Sequence, residues 1–385
     1  MGIGGIASFI RGFVKYAPPD FTFGMVGVSA KRPIGEWQSL EFEGRSLAFL
    51  PILRAETTRR SRIPLALRFA GAGLRWRRRL DISDWTASLH RPGSDLVLPA
   101  RRGAVWRVVH LAREDMVSAG GESRWQRLPV LLDFLEDRAF RRMARIYVVN
   151  RHATDRYRRR YPDIADRVRF LPNWADDGLF SLVDPSVRQA RREELFTRLG
   201  LPPASELVVY AGRLDGQKDP LLLADVFSGL HRRRPTACLL VAGDGSLRPQ
   251  MERRLRETGA HRAARVLGVV TRGELARIMS AADAMLITSR FETGPTVGLE
   301  ALASGLPVVT TPVGEVGRLI GELGRGGEVS PSNATALAEA TFDVLDRSTE
   351  AARREAAAVA EPYRASQVLG QLYEELREMD PMSGK

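Results

Sequence analysis

FETGPTVGLEALASGLPVV, residues Phe291 to Val309, decides how this chain is read. Glu292 and Glu300 stand eight positions apart, separated by the turn-forming Thr293-Gly294-Pro295-Thr296 and the start of an apolar run with helical character. Just upstream, Ala284-Met285-Leu286-Ile287 is a short apolar run of the kind that forms a buried parallel strand. The order is therefore strand, glutamate, Gly-Pro loop, helix, glutamate. Pro295 suits the first turn of a helix, where its missing N–H would be unpaired in any case. The N–H groups of Thr296 and Val297 are then left to face whatever lies above the strand, and a helix N-terminus favours an anion. Glu300, about a turn further on, can accept from hydroxyls. Donors for a phosphate beside carboxylates for hydroxyls fit a nucleotide-sugar.

Two further stretches agree. Leu207-Val208-Val209-Tyr210-Ala211-Gly212 reads as a strand ending in glycine, followed by Arg213 and Lys218 in GRLDGQK and by a helical pattern from Leu221. Two cations after the carboxyl end of a strand, close to a helix start, suit a diphosphate. Leu239-Leu240-Val241-Ala242 runs into the turn Gly243-Asp244-Gly245, where Asp244 reads as a turn residue. Lysine is scarce, occurring only at positions 15, 31, 218 and 385, which makes Lys218 more telling than Arg213 in an arginine-rich chain.

In this order and spacing, GRLDGQK, VAGDGSL and FETGPTVGLEALASGLPVV resemble the retaining glycosyltransferases of family 4, whose hallmark is two glutamates separated by seven residues. Phe170-Leu171-Pro172-Asn173-Trp174-Ala175-Asp176 resembles the segment that closes the family's first domain, and Gly2-Ile3-Gly4-Gly5 its N-terminal glycine-rich loop. The resemblance implies an α/β protein of the GT-B fold: two Rossmann-like domains facing each other across a cleft, with a C-terminal helix returning to the first. It implies retention of anomeric configuration, no metal or other cofactor, and a nucleotide-diphosphate sugar as substrate. Carried onto this chain, it makes Arg213 and Lys218 the diphosphate cations. Glu292 would hold the transferred sugar, Glu300 the ribose, and Gly294, Thr296 and Val297 the donor through the loop and helix start. The acceptor or its phosphate would pass Gly4 and Gly5. The family often carries an active-site histidine at the end of a first-domain strand. His110 closes the run Val105-Trp106-Arg107-Val108-Val109 and is favoured for that role over His90. At Gly294-Pro295-Thr296 the chain departs from the commoner Phe-Gly-Leu-like pattern, and Pro295 removes one N–H from the loop.

Length and composition bound the rest. At 385 residues, two domains are expected. The expected limits are residues 1–178 for the acceptor domain, 179–360 for the donor domain and 361–385 for the returning helix. Formal net charge is +12. Much of the basic excess surrounds the apolar residues of Ile63 to Arg79, including Arg68, Arg75 and Arg77-Arg78-Arg79, which reads either as a solvated helix face or as a peripheral contact with an anionic membrane. No zinc-finger, RRM or KH pattern supports nucleic acid. One cysteine, Cys238, cannot form a disulfide within the chain, and neither a signal-peptide pattern nor a membrane-length apolar run is seen. The expectation is a cytoplasmic enzyme acting on a glycan or lipid-linked acceptor. The alternatives are a non-catalytic nucleotide-sugar-binding protein and a sugar epimerase on the same fold. A Rossmann-like first domain normally begins with an apolar strand of about five residues. Here the glycine-rich loop follows Met1 at once, so a helix from near Ile6 with no preceding strand is expected. The native start would then lie upstream, or the domain would have lost its first strand.

Overall fold

A computed structural model describes residues 5–54, 65–76, 78–80, 87–90, 105–110, 137–292 and 296–379. The chain divides into two compact units, residues 1–172 with 369–385, and residues 173–368.

In the first unit, α1 (Gly5–Lys15) places Ile6, Phe9, Ile10, Phe13 and Val14 on one stripe, the helical repeat of a core-facing surface. Phe9 and Val14 are buried. A parallel pair, β1 (Gly24–Ser29) and β3 (Arg45–Arg54), is extended by β2 (Gln38–Phe42), which is antiparallel to β3. The sequence reading did not anticipate β2. Its hairpin turns at Glu43-Gly44, both left-handed at φ 51° and 75°, the geometry of the tight turns that match strand twist. α2 (Leu65–Trp76) stops short of the expected Arg79, because the N–H groups of Arg79 and Leu80 both return to the Trp76 carbonyl. A second, all-parallel sheet has the order β4 (Ala87–Leu89), β5 (Val105–Val109), β6 (Arg145–Val148), β7 (Val168–Phe170), with α3 (Arg151–Arg160) between the last two in sequence. Among the described residues no strand joins the two sheets.

The second unit opens with α4 (Pro185–Leu199) and then alternates strand and helix: β8 (Glu206–Ala211), α5 (Pro220–Arg233), β9 (Ala237–Ala242), α6 (Arg248–Glu257), β10 (Ala264–Gly268), α7 (Arg272–Ala281), β11 (Ala284–Ile287), α8 (Thr296–Ala303), β12 (Val308–Thr310), α9 (Gly314–Leu323), β13 (Gly327–Val329), α10 (Ala334–Asp346) and α11 (Glu350–Ala360). The strands are all parallel in the order β10-β9-β8-β11-β12-β13. Both faces are covered, and side chains alternate between them. Leu207 and Val209 of β8 pack with Leu195, Ile278, Leu302 and Val359 on one face. Val208 and Tyr210 pack with Phe227, Met251 and Leu337 on the other. The boundary between units falls at Pro172/Asn173, earlier than expected from sequence, since Ala175 and Phe180 lie in the second unit's core.

After α11, a short turn at Glu361–Tyr363 leads to α12 (Ala365–Glu378), whose residues from Leu369 belong to the first unit. Tyr373 stacks on Phe13 at 5.0 Å and donates to the Phe13 carbonyl. Tyr147 donates to Glu375 at 2.6 Å, and Arg377 pairs with Asp20 at 2.9 Å. No helix among the described residues is long and apolar enough to cross a membrane.

Candidate active site

Counted from β8, the second sheet has the order 3-2-1-4-5-6, which reverses between β8 and β11. Open α/β sheets bind ligands at the carboxyl ends of the strands beside such a reversal. The loops that leave β8 and β11 there are the two that the sequence singled out, and side chains tie them together. Lys218 forms an ion pair with Glu292, and Ser289 donates to the same carboxylate oxygen at 2.6 Å. The Thr288 hydroxyl donates to the carbonyls of Lys218 (3.0 Å) and Asp219 (3.2 Å). Gln217 donates to the Phe291 carbonyl at 3.1 Å, while the Arg290 N–H donates to the Gln217 carbonyl at 2.9 Å. Arg213 projects outward, two-thirds exposed, with Asp215 at 2.6 Å as its anchor. One cation is thus held in the floor of the loop, and the other lies exposed, held by Asp215 and by the Gln217 side chain at 3.2 Å.

Asp219 closes this loop in the left-handed conformation at φ 47°, uncommon for a residue with a side chain and typical of functional sites. Its carboxylate caps α5 by accepting from the Leu222 N–H at 3.2 Å and takes a second donor from Arg290 at 2.6 Å. Pro220 follows as the first helical residue. The loop after β9 packs directly on the same floor. A Cβ at Gly243 would sit 1.8 Å from the Gly212 carbonyl oxygen, so only glycine allows this approach. Asp244 accepts from the Gly245 N–H at 2.8 Å and from Arg248 at 3.4 Å.

α8 begins at Thr296, with Thr296 and Val297 in its first turn; Gly294 and Pro295 lie outside the described residues. Gly298 lets the helix approach the sheet, since a Cβ there would meet Val316 at 2.9 Å and Ile287 at 3.2 Å. Glu300, buried on this helix, receives Arg272 at 2.7 Å. Burial raises its pKa above the ordinary carboxylate value, opposed by the Arg272 charge. Sequence reasoning missed Arg272, Ser289 and Asp219 as members of this constellation. Arg272 carried a readable signal: it follows Thr271, whose side chain accepts from the Glu274 N–H, so it occupies the first helical position, where the dipole disfavours a cation.

In the first unit, Gly5 opens α1 and Gly4 lies outside the described residues. His110 and His90 follow the adjacent parallel strands β5 and β4, and this pairing brings together two residues that the sequence treated as rivals. His90 Nδ1 and His110 Nε2 are 3.1 Å apart, Ser88 Oγ is 2.9 Å from His90 Nε2, and Phe9 packs on both rings. Burial pushes His110 down to about 4; burial and then the neighbouring His110 push His90 down to about 3. The pair is therefore neutral near pH 7. Among the described residues no group of three or more His, Cys, Asp or Glu side chains is placed to hold a metal ion.

Residues 191–360 match the family model described as "Glycosyl transferases group 1". The chain is 29% identical over 211 residues to an alpha-D-kanosaminyltransferase from Streptomyces kanamyceticus, covering 55% of this chain and 53% of that protein. It is 32% identical over 151 residues to a glycogen synthase from Mycobacterium tuberculosis, covering 39% of this chain and 36% of the relative. The chain thus spans about half the length of the first curated relative and less of the second. Among solved structures it is similar to a sucrose-phosphate synthase from Thermosynechococcus elongatus, with TM-score 0.76, 18% identity and coverage of 97% and 94% of the two chains. It is also similar to WaaG, a glycosyltransferase involved in lipopolysaccharide biosynthesis, with TM-score 0.68, 17% identity and coverage of 100% and 98%. Anabaena HepE in complex with UDP and glucose gives TM-score 0.63 at 18% identity, covering 86% of each chain. The fold is GT-B, built from two Rossmann-like units.

Proposed function

We propose that the protein is a retaining glycosyltransferase that moves a sugar from a nucleotide-diphosphate donor to an acceptor in glycan or glycolipid synthesis. The observation that carries this reading is the Lys218–Glu292 pair at the sheet reversal, with Arg213 exposed beside it. An arriving diphosphate competes with Glu292 for Lys218 and draws in Arg213. The released Glu292 carboxylate then accepts from hydroxyls of the sugar, while Ser289 keeps it oriented. The anomeric carbon–phosphate oxygen bond breaks, the bond to the acceptor oxygen forms on the same face, and the acceptor proton passes to the leaving diphosphate. Arg213 and Lys218 neutralise the charge that develops there, the kind of preorganised electrostatic help that dominates such reactions. Thr296 and Val297 add the first-turn donors of α8, and Glu300 takes the ribose. In the first unit His110, neutral and backed by His90, serves the acceptor as a hydrogen-bonding group rather than as a cation. This reading uses no metal and leaves nucleic acid aside. Activity that survives a chelator is its expected signature.

The similarity to HepE, whose structures hold UDP and glucose, supports a nucleotide-sugar donor. The alternative of a binding protein without catalysis is separated by one experiment. UDP-, GDP- and ADP-sugars are incubated with the protein, with and without candidate acceptors, and release of the nucleoside diphosphate is followed. Binding without release by any donor or acceptor leaves a non-catalytic binder. For the acceptor side we propose peripheral contact with an anionic membrane at the inner face of the cell membrane. In the first unit Trp37 and Leu74 are exposed, as are Arg75, Arg78 and Arg79, and Trp37 donates to the Arg79 carbonyl at 3.1 Å. Aromatic and aliphatic groups among cations suit a lipid headgroup surface.

A further inference from the structure

Arg272 stands at a place that helix energetics argue against. It is the first residue of α7, where the helix dipole presents its positive end and a cation is unfavourable. Two carboxylates hold it there. Glu300 lies 2.7 Å from Nη2, and Asp176 lies 3.5 Å from Nη1. Both acids are buried, while Arg272 itself remains one-third exposed, with its guanidinium over the ring of the fully buried Phe180 at 5.4 Å. Asp176 is fixed independently, accepting from the Gly178 N–H at 3.2 Å. Arg272 is thus a planar fork between a fixed acid and the acid of α8, with one side still open to solvent.

We propose that Arg272 is a positioning residue of the donor site, which orients the Glu300 carboxylate and keeps it ionised so that it accepts from the ribose hydroxyls of the nucleotide. The proposal deepens the glycosyltransferase reading and rests on its placing of Glu300 at the ribose. Glu300 has two oxygens; the contact to Arg272 uses Oε1 and leaves Oε2 for a hydroxyl. Without a cation at this distance, a carboxylate so buried would hold its proton, and a protonated carboxyl accepts weakly. The charges acting on Glu300 are Arg272 from α7, which favours ionisation, and Asp176 from the segment before α4, which opposes it. The buried cation of α11, Arg353, is spent on the carbonyls of Ala282, Ser280 and Ser304. Lysine cannot replace the fork, because a point charge does not span two acids in fixed geometry.

The test compares binding of a nucleoside diphosphate with that of its 2′,3′-dideoxy analogue by calorimetry between pH 5 and 8, for the full chain and for Arg272→Gln and Arg272→Lys. The unaltered protein should prefer the ribose form by about tenfold or more, the value of a charge-assisted hydrogen bond. Arg272→Gln should lose most of that preference. Its affinity for the ribose form should begin to fall on acidification about one to three pH units higher, the range by which a neighbouring opposite charge moves a carboxyl. Arg272→Lys should restore the acid limb and only part of the preference. If Arg272→Gln does not fold, an undiminished ribose preference in Arg272→Lys overturns the proposal. Full preference and an unmoved acid limb in a folded Arg272→Gln overturn it as well. Should the unaltered protein bind no nucleoside diphosphate at all, the glycosyltransferase reading fails first. Binding with no ribose preference instead overturns the placing of Glu300, and the proposal with it.

Discussion

The two units handle their chemistry differently. In the second, the candidate site grows from contiguous motifs: Arg213 and Lys218 leave one strand, Glu292 leaves the strand beside it, and Glu300 follows on the next helix. In the first, the most distinctive feature is the His90–His110 contact, which joins residues twenty positions apart on separate strand ends. The Glu292–Glu300 pair, made by one loop and its helix, leaves a spacing in the sequence, whereas the contact of Glu292 with Lys218 needs β8 and β11 to be neighbours. The His90–His110 contact likewise depends on β4 and β5 being neighbours, which spacing along the chain does not show.

Substitutions in the second unit should separate chemistry from folding most sharply. Lys218→Ala should lower the rate of transfer about 100-fold or more, the usual cost of removing one preorganised charge-stabilising donor. Glu292→Gln should reduce transfer while sparing the free nucleotide. Steady-state rates beside calorimetry with the nucleoside diphosphate check both. Equal losses in binding and rate for Glu292→Gln would move that residue from the sugar to the diphosphate.

The first unit should instead respond to pH through its histidines. Both are held below the ordinary value of 6.5, His90 at about 3 and His110 at about 4. The unfolded chain therefore binds protons that the folded unit refuses between those values. Stability is fully present above pH 6.5 and falls as pH drops, toward about 4 for His110 and about 3 for His90, by at most about 1.4 kcal/mol per pH unit for each histidine. Five of the six tryptophans lie in residues 1–172, so urea unfolding followed by tryptophan fluorescence reports mainly on this unit. The acid slope should flatten in a His90→Asn/His110→Asn variant. A slope unchanged by that double substitution would assign the acid sensitivity elsewhere.

Gly298→Ala should be smaller and confined to the second unit. The added methyl meets Val316 at 2.9 Å and Ile287 at 3.2 Å, and overpacking of this kind costs about 1–3 kcal/mol. Because α8 carries Thr296 and Glu300, nucleotide affinity should fall with thermal stability. Loss of stability with unchanged affinity would show that the helix start does not touch the ligand. The smallest effect concerns lipid. Co-sedimentation with anionic vesicles should exceed that with neutral ones and weaken as salt screens charges beyond about 10 Å at 0.1 M. Substituting Trp37 and Leu74 should weaken it further, and equal binding to both vesicle types would remove the proposed surface.

Much of the second unit was legible. Its strands are short apolar runs ending in glycine or turn residues, and burial on both faces makes such runs stand out. Lys218 was legible through its rarity. Its pairing with Glu292 was not, because two residues 74 positions apart meet only once β8 and β11 become neighbours. In the first unit β2 escaped notice, since Gln38–Phe42 alternates only Leu40 and Phe42 with polar residues and its Glu-Gly turn lacks the commoner Asn or Asp. The helix expected to open the chain near Ile6 is α1, while Gly4, Gly294, Arg59, Arg60 and Arg62 fall outside the described residues.

The central claim is that the reversal between β8 and β11 is a diphosphate site. Calorimetric titration of UDP, GDP and ADP into the full chain and into its Arg213→Ala and Lys218→Ala variants tests it most directly. At least one diphosphate should bind, and each substitution should weaken that binding about tenfold or more without altering the circular dichroism spectrum. Binding of no diphosphate, or equal affinity in the unaltered protein and both variants, would contradict the account.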